Sequence, residues 1–338
     1  MLYSMLGGAW DVRVREPKFT INAGGLMQAG NGGGQRTAGG MDWLTNNGAL
    51  LLILTTLFWG ANAVAGKFAV GHISPFVLTA FRWLIASSIL IIIARRELRR
   101  DWPAIKKNLL FLFLLGGVGF SVFNGLLYTS LKYTTALNVT ILQAGMPMVI
   151  FILNFLVFQM RTHWAQALGY SITLGGVLVT AARGDWSQLA DLAFNNGDLI
   201  MLGAVVIYAA YSVALRSKPV MHWLSFLTVL ACSAAIMAVP LAGFEILAGT
   251  AIWPTDTTAW VIIFYTTIFP SVLAQGFFIR GNELLGGNAA GLFLNLVPIF
   301  GAILSVLLLH ETFHVYHGIA LAMVIGGIFI AQSLSRGK

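Results

Sequence analysis

His310, Glu311 and His314 spell H-E-x-x-H, the pattern in which one helix offers two imidazoles to zinc and the glutamate between them activates a water. The chemistry would be hydrolysis. The pattern falls where one apolar run turns into the next, so a continuous helix carrying both imidazoles is not predicted; no acid follows Glu311, although His317 lies close enough to complete a set. A membrane-embedded metalloenzyme is thus an alternative, while the expectation is no catalytic residue, no metal and no cofactor. A Gly-rich phosphate loop, a Walker lysine and a nucleophile elbow are all missing from the sequence.

A different chemistry, binding, is suggested by polar groups inside apolar runs. Thr55, Trp59, Asn62 and Gly66 recur at helical spacing and share one face. Comparable faces are formed by Ser121, Asn124 and Tyr128, by Thr140, Gln143 and Pro147, by Tyr208 and Tyr211, and by Ser271 and Gln275. Lipid offers these groups no hydrogen bond, so they should point inward, to neighbouring helices or to a wet cavity. Several faces at similar depth favour the cavity. Arg82, a permanent cation two turns into a run, either draws an anionic or carboxylate-bearing substrate or snorkels and bonds carbonyls between helices. Lys67 stands at the end of its run and is read as interfacial. Glu97, Glu245, Glu283 and Glu311 fall in connections or near run ends, leaving no acid at a predicted midplane.

The elements that carry these residues follow from composition. Of 338 residues 58% are hydrophobic and only 9% charged, too few polar groups to cover a soluble globule. The apolar runs are long and uninterrupted, which excludes the short alternating strands of a membrane β-barrel. One cysteine, Cys232, gives no disulfide framework. The formal charge of +8 is concentrated in the stretch Arg95 to Lys107 between two apolar runs, an orientation signal rather than a nucleic-acid stripe. Ten segments are long enough to span a bilayer: 48–67, 75–94, 108–129, 134–158, 164–182, 197–216, 222–248, 258–280, 288–309 and 314–333. With both termini inside, twelve Lys and Arg of the connections and tail after Met41 fall on the inner side and three on the outer. Residues 1–40 are Gly-rich and expected to be disordered, with Met41 as the natural start.

A shift of 151 residues lays Pro147 on Pro298, Gly175-Gly176 on Gly326-Gly327, and Asn138 beside Asn288. The fourth and fifth segments echo the ninth and tenth. Duplicating a five-span unit inverts its second copy, which places a site between halves at the membrane midplane. The fold expected is an all-α membrane protein of ten helices in two inverted repeats, 46–182 and 197–333.

Phe58-Trp59-Gly60-Ala61-Asn62, Ser74-Pro75, Phe81-Arg82-Trp83, Ala144 to Pro147, Leu296 to Pro298, Glu311 and Gly326-Gly327 occur in the order and spacing of the drug/metabolite transporter superfamily, and the chain resembles its ten-helix EamA-type branch from Leu51 to Ser333. That family usually shows a Glu where Met160 stands here. The resemblance implies a secondary transporter in the bacterial inner membrane that moves small metabolites such as amino acids by alternating access, its relatives exporting aromatic amino acids and cysteine-pathway metabolites. Trp59, Asn62, Arg82, Asn124, Tyr128, Gln143, Tyr208, Tyr211 and Gln275 are the candidate substrate residues, and Pro147 and Pro298 the candidate hinges. A small molecule and membrane lipid are the expected partners, nucleic acid is not, and a lipid or lipid-linked sugar flippase is the other transport reading.

Overall fold

The computed structural model describes residues 47–159, 164–185 and 195–333, so the Gly-rich segment 1–40 and Met41 lie outside the described residues. Within them every regular element is a helix. We number them α1 (Gly48–Phe68), α2 (Pro75–Ile93), α3 (Arg95–Lys107), α4 (Leu109–Ser130), α5 (Ala136–Gln143), α6 (Met146–Phe158), α7 (Trp164–Ala181), α8 (Asn196–Ala214), α9 (Trp223–Leu247), α10 (Thr257–Leu285), α11 (Gly287–Phe293), α12 (Leu296–Leu309) and α13 (Val315–Ser333). Eight helical stretches are long and apolar enough to cross a membrane, and α7 and α13 contribute shorter apolar stretches. The protein is an integral membrane protein.

Three features depart from ten plain rods. The charged connection Arg95–Lys107 is itself a helix, with Ile105 buried and Trp102 exposed, an amphipathic piece suited to lie along an interface. Each long run that contains a candidate hinge is interrupted: α5 stops at Gln143 and α6 starts at Met146, and α11 stops at Phe293 and α12 starts at Leu296. Pro147 and Pro298 therefore stand in the first turn of a new helix, where a missing N–H is harmless, rather than kinking the middle of an old one. Lastly, α4 and α10 each widen into a π-helical turn, over Gly117–Val122 and Thr267–Leu273.

These irregularities recur at the 151-residue shift. The breaks correspond, the π turns correspond to within a residue, and α6 and α12 both end on a left-handed non-glycine residue, Gln159 (φ 51°) and His310 (φ 53°). Where α7 crosses α13, a Cβ on Gly327 would strike the Gly169 carbonyl oxygen, and one on Gly176 would meet the Ala320 carbonyl oxygen at 2.8 Å. Gly169 and Ala320 are themselves one shift apart, so the crossing is made of two equivalent close approaches.

Helix ends in a bilayer must satisfy their own orphan N–H groups. Asn47, Thr135, Asn195 and Asp256 do so as N-caps of α1, α5, α8 and α10. Two ends use carboxylates distant in sequence, one from α9 and one from the connection after α12. Glu245 accepts from Phe76 and Val77 N–H at 3.0 and 3.1 Å on α2, and Glu311 accepts from Ala136 and Leu137 N–H, both at 2.8 Å, on α5. Around them, His72 Nδ1 pairs with Asp256 at 2.6 Å, the Ser74 N–H donates to the Ile252 carbonyl at 3.1 Å, and Lys67 Nζ donates to the Leu131 and Thr134 carbonyls at 2.8 Å each. All of these ties gather at the end of the molecule where α1 finishes and α2 begins.

Candidate functional site

Arg82 sits mid-helix on α2, 4% exposed, and does not snorkel. Its Nε donates to Ser271 Oγ at 2.7 Å, and its Nη1 donates to Asn124 Oδ1 at 2.8 Å, to Asn62 Oδ1 at 3.1 Å and to the Tyr128 hydroxyl. Tyr128 in turn donates to Asn62 Oδ1 at 2.9 Å. The acceptors come from α1, α4 and α10, so the guanidinium joins three helices to its own. Each is neutral: among the described residues no carboxylate pairs with Arg82, and Nη2 donates to none of them.

The π turns explain how the acceptors are held. Widening the turn leaves backbone carbonyls without their usual partners. Asn124 Nδ2 takes the Phe120 carbonyl at 2.6 Å, Ser271 Oγ donates to the Thr266 carbonyl at 2.8 Å, and Trp59 Nε1 donates to the Pro270 carbonyl at 3.2 Å. Asn124 and Ser271 then turn their oxygens to Arg82. The Trp83 indole stacks on Phe120 with centroids 4.9 Å apart, and the Arg82 guanidinium carbon lies 5.0 Å from that indole's centroid.

Beside this cluster lies a cavity of about 280 Å³, near the lower end of the roughly 300–1,000 Å³ usual for small-molecule sites. Its wall includes the candidates Trp59, Asn62, Arg82, Asn124, Gln143, Tyr208 and Gln275, and both prolines, Pro147 and Pro298. Tyr128 stands behind Arg82 as its hydrogen-bond partner, outside this lining. Tyr211 packs behind the wall, 5.5 Å from Phe120 and 5.3 Å from Tyr208 between centroids. Lining residues that the sequence did not mark as binding candidates include Trp83, Phe120, Phe278 and Asn295. Asn295 had a signal, since it lies at the second helix break, one repeat shift from Ala144. Phe120 and Phe278 had none, because an aromatic in an apolar run reads as packing.

The H-E-x-x-H residues do not share a helix. α12 ends at Leu309, His310 is left-handed, and His314 precedes α13. Glu311 is committed to the α5 N-terminus, and the His314 N–H donates to His317 Nδ1 at 3.0 Å. Among the described residues no three His, Cys, Asp or Glu side chains are grouped to hold a metal. Lys67, read as interfacial, has its ammonium on the last carbonyls beyond α4. Met160, at the position matching Glu311, lies outside the described residues.

Residues 46–182 and again 195–332 match the EamA-like transporter family. A Bacillus subtilis (strain 168) protein named uncharacterized transporter YetK is 28% identical over 273 residues, 80% of this chain and 82% of the relative. Uncharacterized transporter YyaM of the same organism is 25% identical over 292 residues, 85% of this chain and 94% of its own. A solved crystal structure superposes with a TM-score of 0.58 at 21% identity, covering 86% of this chain and 97% of that one, which speaks to the fold alone.

Proposed function

The chain belongs to the EamA-like transporter family, and from that premise we propose that it is a secondary transporter exporting a small carboxylate-bearing metabolite, such as an amino acid or a related compound, by alternating access. Ten spans, the eight long stretches with α7 and α13, form two inverted five-span repeats in a bacterial inner membrane with both termini inside. What supports the duplication is the recurrence of breaks, π turns, left-handed ends and glycine contacts at one shift, together with the family's matching the chain twice.

The observation that carries the substrate class is Arg82. A buried cation without a carboxylate partner is costly, and its neutral acceptors offset only part of that cost. Its Nη1 is occupied by Asn62, Asn124 and Tyr128, which leaves the second amino group, Nη2, to donate a charge-assisted hydrogen bond to a carboxylate. Gln143 and Gln275 add polar contacts across the cavity, while Trp59, Phe120 and Tyr208 offer aromatic surface to an apolar or planar body. Binding between α1, α2 and α4 on one side and α5, α6, α11 and α12 on the other makes the cavity's access depend on how those groups lie. The hydrogen-bonded ties at the end where α1 finishes and α2 begins are read as closing that side in this conformation.

Flux in proteoliposomes tests the proposal. Paired compounds that differ only in carrying a carboxylate or the neutral amide should separate, with the carboxylates carried and the amides not. Equal flux of both members removes Arg82 from substrate selection, and no flux of any metabolite over a panel of amino acids, sugars and nucleobases contradicts transport of this class.

A further inference from the structure

At the tied end, a second buried ionisable group lies outside the cavity. Asp198, in the first turn of α8, is 0% exposed. Its Oδ1 accepts from Thr134 Oγ1 at 2.6 Å, and its Oδ2 is buried with no hydrogen-bond partner among the described residues. An acid in a first helical turn is often accounted for by the helix dipole. Here neither carboxyl oxygen takes an N–H of α8, whose Gly197 N–H goes instead to Asn195 Oδ1 at 2.7 Å.

The bond to Thr134 ends a chain that crosses four elements. His317 Nδ1 accepts from the His314 N–H, which leaves the proton on Nε2, and Nε2 donates to Asn138 Oδ1 at 3.1 Å. Asn138 Nδ2 donates to Thr134 Oγ1 at 3.4 Å, and Thr134 donates to Asp198. The charged and titratable groups facing the carboxyl are Arg183 beyond α7 and Tyr316 on α13, and Lys67 reaches the Thr134 carbonyl from α1. Glu311 and His314 stand further along the same end, on the N–H groups of α5 and against Tyr316. None of the cations forms an ion pair with Asp198.

We propose that Asp198 is a proton-binding site whose occupancy closes this end of the molecule, so that the pH on this side of the membrane sets how readily it opens. With Oδ2 left without a partner and no ion pair formed, a dry carboxylate is disfavoured, so in the closed arrangement the acid holds its proton on Oδ2. Opening the seam between α8 and the α4–α5 corner admits water, and the proton passes from Oδ2 to that water as the carboxylate becomes hydrated. The closed form therefore binds the proton more tightly, and by linkage low pH favours closure and rising pH favours opening. The inference rests on the transporter reading for its meaning, yet the site can be tested without any substrate.

The test uses full-length protein in proteoliposomes. Infrared difference spectra at neutral pH should show the C=O stretch of a protonated carboxylic acid, lost in Asp198→Asn and displaced in Asp198→Glu. On a Cys232→Ala background, Ser130→Cys places a thiol against α8, and its labelling, corrected for thiol ionisation with the unfolded protein, should rise with pH by up to about tenfold per unit. Adding Asp198→Asn, which mimics the protonated acid, should hold labelling at the slow limit across pH. A carboxyl band that survives Asp198→Asn, pH-independent or absent labelling at Ser130→Cys, or unchanged pH dependence in Asp198→Asn overturns the proposal. Such failures leave carboxylate-selective flux intact, whereas loss of that flux with these results preserved would count against the transport reading alone.

Discussion

Arg82 shows what a single residue contributes. Its type and position in an apolar run mark it in sequence as an anomaly, but only the folded arrangement decides between snorkelling and a buried cluster. The decision lies in Asn62, Asn124, Tyr128 and Ser271, which converge from three helices. Asn62 and Tyr128 were legible because helical spacing placed them on polar faces. Asp198 was overlooked because an acid at the start of an apolar run resembles an ordinary helix beginning. Removing a charge-assisted hydrogen bond costs about 1.5–3 kcal/mol, so Arg82→Gln should weaken a carboxylate ligand by roughly ten- to a hundredfold in equilibrium binding. Arg82→Lys should not restore it, since an ammonium lacks the planar fork. Asn62→Leu, which leaves Arg82 its other acceptors, should lower transport more than thermal stability; equal losses would make Asn62 a purely structural partner.

At the scale of elements, hydrophobic runs long enough to span were plain in the sequence, whereas their interruptions were not. A π turn needs no special residue type at Gly117–Val122, and the α5–α6 break at Ala144–Gly145 precedes its proline rather than coinciding with it. Helix α3 was hidden by its charge, which reads equally well as a loop. The ends of α5 and α12 yield two stability predictions. Glu311→Gln presents an amide N–H₂ to one of two backbone donors, and should lower stability by about 1–3 kcal/mol, seen as a lower midpoint in thermal melts. His310→Gly places glycine at a left-handed position and should raise that midpoint, by an amount equivalent to about 1 kcal/mol. A lowered midpoint would mean that the His310 side chain contributes more than its backbone conformation costs.

At the scale of the whole molecule the repeat signal was readable in the sequence, because Pro147 with Pro298 and Gly176 with Gly327 betray the shift directly, and the helix breaks and π turns recur at that shift. What repetition could not reveal is asymmetry: Glu311 and Asp198 serve the tied end, while the position matching Glu311 is Met160. The tied end also carries the exposed His72–Asp256 pair, in which the hydrogen bond from His72 holds the Asp256 carboxyl below its ordinary range. A depressed carboxyl stabilises the arrangement above its usual titration range and stops doing so as pH falls through the lowered value. His72→Ala should therefore flatten the acid limb of the stability–pH profile. In the proposed cycle the Arg82 cavity communicates with each side of the membrane in turn. The most direct measurement is labelling of Gln143→Cys, on the Cys232→Ala background in sealed proteoliposomes, by a membrane-impermeant reagent applied from either side. Reaction from both sides is expected, with saturating carboxylate substrate slowing each; a thiol that reacts from neither side, or always from the same one, contradicts alternating access.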